Sequence, residues 1–258
     1  MSDHVRVSVD GSVLKLTLAR PEKKNALTNA MYLALAQALE RAESDPAIRV
    51  VLLEGEGDSF TAGNDLGDFA TVAAGKAGRE DMKAFAFLQA LARGQKPYVA
   101  AVHGLAVGIG VTMLMHFDLV YVAEDARLST PFVNLAVVPE AASSLLIPAR
   151  IGHARAFAMF ALGEQVDGKT AAAIGLANAA LPAAEVHAKA LAAAKALASK
   201  PIGSLRATKQ LMRDADAIAA LMARESEIFG ARLQTAEAAE AFKAFAERRA
   251  PDFSKIQS

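Results

Sequence analysis

"PYVAAVHGLAVGIGVTMLMHFDLVYVA", residues 97–123, is the longest apolar stretch of the chain, and its reading decides the fold. Its length matches a membrane span. Three glycines (Gly104, Gly108, Gly110) sit in its middle, and His103, His116 and Asp118 interrupt it. They divide the stretch into a buried strand, a tight turn, a short helix from about Val107 to His116, and a second strand. A strand–turn–helix–strand unit belongs to an α/β domain rather than to a bilayer.

Toward the N-terminus, "VRVSVDGSVLKLTLAR" alternates apolar and polar residues around Asp10-Gly11, which predicts a hairpin. Thr28 is placed to cap a helix through "NAMYLALAQALERAES". "RVVLLEGEG" reads as a buried strand ending in a glycine loop, "FTAGNDLGDF" as irregular, and "MKAFAFLQALARG" as a helix. Beyond residue 123, "ARLSTPF" is a short extended piece. From Ala141 onward the pattern is helical, broken at Gly152, Gly163, Gly175 and Pro182. The order predicts an α/β core over residues 1–200 and a helical C-terminal extension over 201–258, divided at "SKPIGS". "EVHAKALAAAKALASK" is a good helix former. The phenylalanines of "RESEIFGARL" and "AEAAEAFKAFAERRA" fit core or oligomer contacts.

The chain has 258 residues, 53% of them hydrophobic and 22% charged, enough for a sizeable core. Twenty-eight basic residues balance 28 acidic ones, which gives no electrostatic reason to expect nucleic acid or an anionic membrane as partner. There is no cysteine, so disulfides, thiol nucleophiles and cysteine-ligated metals are excluded. The opening "MSDHVRVSVDG" has no signal-peptide pattern and the closing "KIQS" is no peroxisomal address, so a cytoplasmic location is expected.

Two glycine turns carry chemical interest. "GLAVGIG" fails the dinucleotide fingerprint, because Met113 occupies the third glycine position. What remains is a tight turn with free N–H groups at a helix start, suited to an anion or a developing oxyanion. "FTAGNDL" is either a plain loop or a second exposed N–H beside a ligand. No Gly-x-Ser-x-Gly occurs, and Ser143 and Ser144 read as structural. His4, His103, His116, His153 and His187 show no metal-ligand spacing, so no metal is expected. Asp118 reads as a cap or a paired group. Glu140, inside the apolar run "LAVVPEAASSLL", has two readings. It is a helix-start carboxylate favoured after Pro139, or it is a carboxylate with a chemical role.

Four segments, taken together, resemble the crotonase, or enoyl-CoA hydratase/isomerase, family. They are "ARPEKKNAL", "FTAGNDLGDF", "AAVHGLAVGIGVTMLMHFDLVYVAEDARLSTPF" and "FKAFAERRAPDF", in order over nearly the whole chain. The resemblance implies an α/β crotonase-like spiral of ββα units with a helical C-terminal trimerisation region. It implies an acyl-CoA thioester substrate, with coenzyme A entering as part of the substrate and no further cofactor. It also implies a homotrimer or a dimer of trimers; from the charge balance, no nucleic-acid or membrane partner is expected. The family's oxyanion hole maps onto the N–H groups of Asn64 and Ile109. Its substrate and coenzyme A contacts map onto Lys24, Ala26, Ala62, Gly63, Asp65, Leu66, Gly108, Phe132 and Leu135, and the pocket wall onto the segment between Phe69 and Leu91.

The family's hydratases use two glutamates, at positions that match Thr112 and Phe132 here. Neither is a carboxylate, and hydration has to activate a water and protonate a carbon. The family's Δ3,Δ2-enoyl-CoA isomerases place one glutamate later, in a turn that "VVPEAASS" matches through Glu140, with Ala141 in place of the usual glycine. The resemblance therefore implies an enoyl-CoA isomerase with Glu140 as its base. Enoyl-CoA hydratase, another thioester-enolate reaction, and a non-catalytic acyl-CoA- or RNA-binding member are the alternatives.

Overall fold

The computed structural model describes residues 2–65, 67 and 83–256. Strands β1 (Val5–Asp10) and β2 (Val13–Leu18) form the expected hairpin, with Gly11 at φ +61° in the turn. Helix α1 (Asn29–Ser44) then crosses to β3 (Val50–Gly55), which lies parallel to β2. The Thr28 hydroxyl accepts the Met31 N–H and caps α1. Met31, Leu35, Leu39 and Ala42 recur every three or four residues and face the core.

Helix α2 (Ala84–Arg93) leads to β4 (Tyr98–Val102), parallel to β3. The long apolar stretch then resolves into β4, β5 (Leu105–Val107), helix α3 (Ile109–Thr112), a 3-10 turn (Met113–His116) and β6 (Leu119–Ala123). No helix among the described residues is long and apolar enough to cross a membrane. The helix predicted from Val107 to His116 is thus shorter, and Leu105–Val107 is a strand. Three residues are too few to show a period of two.

Strand β7 (Arg127–Ser129) pairs parallel with β5, and β8 (Val166–Asp167) pairs antiparallel with β7, giving a small second sheet. Strand β9 (Ala179–Leu181) closes the large sheet, whose order is β1-β2-β3-β4-β6-β9. An isolated parallel bridge between Thr61 and Ala106 brings the segment after β3 alongside β5. Each repeat therefore runs from the large sheet to the small one and into a helix, the ββα spiral expected. β8 and β9 correct the all-helical reading of the chain after Ala141. At two and three residues, with Ala-Ala-Leu as the longer sequence, they carry no strand signature of their own.

Beyond β7, α4 (Ser143–Ile151) and α5 (His153–Phe157) precede β8, and α6 (Gly168–Ala173) follows it. Helix α7 (Ala183–Ala198) packs on β3, β4 and β6 through Val186, Ala190 and Ala194. Strands β3 and β4 are buried almost throughout, as parallel strands covered on both faces are. The C-terminal region consists of α8 (Ile202–Met212), α9 (Ala215–Leu233) and α10 (Ala236–Ala246). Asp214 and Thr235 cap the last two, each accepting an N–H three residues on.

Candidate functional site

The loops after β3 and β4 leave neighbouring parallel strands at their carboxyl ends, where open α/β sheets place ligands. The Thr61 N–H donates to Leu105 C=O (2.9 Å) and the Val107 N–H to Thr61 C=O (3.1 Å). Three residues beyond Thr61 stands Asn64, and three beyond Ala106 stands Ile109. Gly63, at φ +89°, allows the close approach, since a Cβ there would lie 2.6 Å from the Val107 carbonyl oxygen.

Both amides are left over by the local bonding. The Leu27 N–H donates to Gly63 C=O and the Asp65 N–H to Leu27 C=O, while the Asn64 N–H between them has no backbone partner among the described residues. Ile109 is the first residue of α3, so its N–H has no intrahelical acceptor. Gly108 precedes it at φ +57° and ψ −116°, a conformation that favours glycine.

Two cavities of about 360 and 550 Å³ adjoin at this point, sharing Asn64, Ile109 and Phe229. These sizes fall at the low end for small-molecule sites. The smaller is lined by Ala62, Gly63, Gly108, Phe132 and Leu135, with Phe242 and Phe245 of α10 on its far wall. The larger contains Glu140, faced by Phe85 and Leu88 of α2 and Met222 of α9. The structure thus brings Glu140, Asn64 and Ile109 together, with five of the expected substrate contacts beside them.

Lys24, Ala26 and Asp65 line neither cavity. The Asp65 carboxylate is committed to the Arg20 guanidinium (2.6 Å), and that hydrogen bond holds its pKa below the ordinary aspartate value. Arg20 also donates to Ala26 C=O, and Lys24 C=O accepts the Ala62 N–H, so these residues brace the loop that carries Asn64. Leu66, and most of the expected pocket wall from Phe69 onward, lie outside the described residues.

Burial pushes the Glu140 carboxyl up to about 8. A hydrogen bond from the Thr112 hydroxyl opposes the rise, and the charge of Glu225 adds to it. Thr112 and Phe132, the two positions expected to match hydratase glutamates, are a donor to Glu140 and an apolar cavity wall. Asn64 is oriented from α1, where the Tyr32 hydroxyl donates to its side-chain oxygen.

Several contributors escape a sequence reading. Ala136, Ala141 and Ala142 have φ of +55°, +62° and +55°, an unusual cluster of non-glycine left-handed residues around Glu140. The turn is held by His116, whose Nε2 lies 2.8 Å from Ala141 C=O, and by Glu225 of α9. His116 also receives the Arg213 guanidinium on Nδ1. Burial, then the Arg213 charge, pushes its pKa down to about 3, so the ring is neutral and donates from Nε2. Glu225 did leave a signal. It shares the stripe Ile218, Met222, Glu225 on α9, a carboxylate on the buried face of a helix.

The mostly parallel sheet with its small partner sheet, the two amides without a backbone partner among the described residues, and the half-buried carboxylate define an enzyme site of the crotonase fold. The enoyl-CoA hydratase/isomerase family model matches residues 8–256, and the chain belongs to that family. Enoyl-CoA delta isomerase 2 of Rattus norvegicus is 33% identical over 253 residues. The match covers 96% of this chain and 64% of the rat protein, so the chain spans about two thirds of that relative's length. The 2,3-dehydroadipyl-CoA hydratase of Escherichia coli K12 is 33% identical over 250 residues, covering 96% of this chain and 97% of its own. The crystal structure of an enoyl-CoA hydratase/isomerase from Pseudoalteromonas atlantica T6c superposes with a TM-score of 0.91 at 41% identity, covering 97% of this chain and 100% of that one. Isomerase and hydratase relatives are equally similar, so the reaction has to be argued from the site.

Proposed function

We propose that the chain is a Δ3,Δ2-enoyl-CoA isomerase. The observation that carries the reading is that Glu140 shares a cavity with the two unpaired amides while both hydratase positions lack a carboxylate. The thioester oxygen sits between the N–H groups of Asn64 and Ile109. The Glu140 carboxylate removes a C2 proton from a 3-enoyl-CoA, and the electron pair of that C–H bond delocalises into the thioester as a dienolate. The two N–H groups stabilise the negative oxygen, each worth about 3 to 4 kcal/mol of barrier in comparable oxyanion holes. Protonated Glu140 then gives the proton to C4, the C2–C3 double bond forms, and the base is regenerated.

One base that reaches both carbons suffices for this transfer. A pKa near 8 suits it, because the same group must accept and then return a proton near neutral pH. The chemistry calls for neither a metal nor a redox group, since the thioester supplies the activation. We also take the working form to be a homotrimer or a dimer of trimers. Leu211 and Met212 at the end of α8, 88% and 83% exposed, are the apolar surface that assembly would cover.

The test is the appearance of conjugated thioester absorbance from a 3-enoyl-CoA. Glu140→Gln is expected to lose at least about 100-fold in kcat, the scale for a general base. In the wild type kcat/KM should rise with pH through a midpoint near 8, because the base acts ionised. Full activity in the variant, or fast hydration of a 2-enoyl-CoA by the wild type, would overturn the proposal.

A further inference from the structure

We infer that Glu225, on helix α9 of the C-terminal region, is a positioning residue for Glu140: its buried carboxylate holds the turn that carries the base and places a fixed negative charge behind it. The inference rests on the reading of Glu140 as the base.

The turn from Pro139 to Ser144 has one backbone hydrogen bond of its own, from the Ser143 N–H to Glu140 C=O (3.1 Å). Ala141 and Ala142 occupy the left-handed region without being glycine, a conformation that other contacts have to hold. Ala142 is also the N-cap of α4 and has no side chain to cap with, so the first N–H groups of that helix need an outside acceptor. Glu225 supplies it. One carboxylate oxygen accepts the Ala142 N–H (2.6 Å), and the other accepts the Ser144 N–H (3.1 Å) and the Ser144 hydroxyl. Glu225 is 5% exposed, so these donors stand in for its lost water.

Burial pushes the Glu225 carboxyl above its ordinary value, and the three donors oppose that rise because they bind the ionised form more strongly. Glu225 accepts three hydrogen bonds, whereas the single described side-chain donor to Glu140 is Thr112. Two carboxyls in unlike surroundings then divide the roles, one an anion held by three donors and the other a proton carrier. Among the described residues, the groups facing Glu140 are the Thr112 hydroxyl from α3, Glu225 and Ser226 from α9, and Lys83 before α2, which lines the same cavity. Behind the turn, His116 binds Ala141 C=O with Arg213 on its other nitrogen, and Arg150 of α4 donates to Met115 C=O. The C-terminal region thus completes the catalytic turn from within the subunit, beyond any part in assembly.

The test follows the Glu140 carboxyl directly. Its ionisation is read by NMR of protein carrying 13C-labelled glutamate, assigned with Glu140→Gln, in wild type and in Glu225→Gln, each first shown to be folded by circular dichroism. In Glu225→Gln the Glu140 midpoint is expected to fall by at least about half a pH unit, because one like charge is gone. Glu225→Asp keeps the charge and should keep the midpoint within that margin, which serves as the comparison if Glu225→Gln does not fold. With a 3-enoyl-CoA, Glu225→Gln should lower kcat about 10-fold or more and change KM less than about 3-fold, since a positioning residue acts on the base and not on substrate binding. An unmoved or raised midpoint in Glu225→Gln, or the same fall in Glu225→Asp, overturns the inference. Because the titration needs no turnover, a chain that fails to isomerise refutes the proposed reaction and leaves this test intact.

Discussion

Replacing Glu140 by Gln should stabilise the protein, and more so as the pH rises. Glu140 titrates near 8 in the fold and near 4.5 when unfolded. Its folded pKa is raised, so the native state binds the extra proton between those values. Its contribution is fully present below pH 4.5 and is lost as the pH climbs through 8. The 3.5-unit difference, at about 1.36 kcal/mol per unit, bounds the loss at roughly 5 kcal/mol. Between pH 5 and pH 9 the linkage relation gives about 4 kcal/mol of that range. Rotation of the carboxylate toward the open part of the cavity trims the figure, and about 2 to 4 kcal/mol is expected. The amide introduced by Glu140→Gln cannot ionise, so the gap between variant and wild type isolates this one group. Urea unfolding of both proteins at pH 5 and pH 9 measures it. A gap that is the same at both pH values, or smaller at pH 9, would refute the claim that Glu140 is held protonated by burial.

Two other positions give independent checks. His116, pushed down to about 3, should remain the neutral Nε2–H tautomer at pH 4.5 by 15N NMR of its ring, and a midpoint near 6.5 would contradict the buried arrangement. Its folded pKa is depressed, so the unfolded chain takes the proton first, and it withdraws about 2.5 kcal/mol of stability between pH 7 and 4.5. Gly63→Ala forces a side chain into a φ of +89° and against Val107 C=O. It should cost about 1 to 3 kcal/mol in urea unfolding and raise KM for the thioester, whereas wild-type stability would show that the two loops do not meet there.

Much of this arrangement was legible before the structure. The hairpin, α1 with its Thr28 cap, and strands β3, β4 and β6 follow from alternation, capping and long apolar runs. These are signals that neighbouring residues carry together. Strands β5, β8 and β9 were not legible, because two or three residues have no period and their partners lie far along the chain. In the site, the two glycine turns were visible as turns, yet only the Thr61–Ala106 bridge brings them together. Glu140 stood out as a charge in apolar company. Its enclosure depends on Phe85, Leu88 and Met222, from helices placed by tertiary packing. Asp65 was expected beside the substrate, but it sits opposite Arg20, 45 residues away, and the ion pair takes it. The phenylalanines of the last two helices fitted core or oligomer contacts; Phe229 and Phe242 do pack against the core, and with Phe245 they also line the smaller cavity.

The central claim is that one carboxyl moves a proton from C2 to C4, and a 3-enoyl-CoA deuterated at C2 tests it most directly. Incubated with the wild type in ordinary water and followed by mass spectrometry and NMR, it should give a 2-enoyl-CoA that retains part of the deuterium at C4, with no such product from Glu140→Gln. Label lost entirely to solvent, a 3-hydroxyacyl-CoA formed faster than the 2-enoyl-CoA, or an undiminished rate in Glu140→Gln would contradict it.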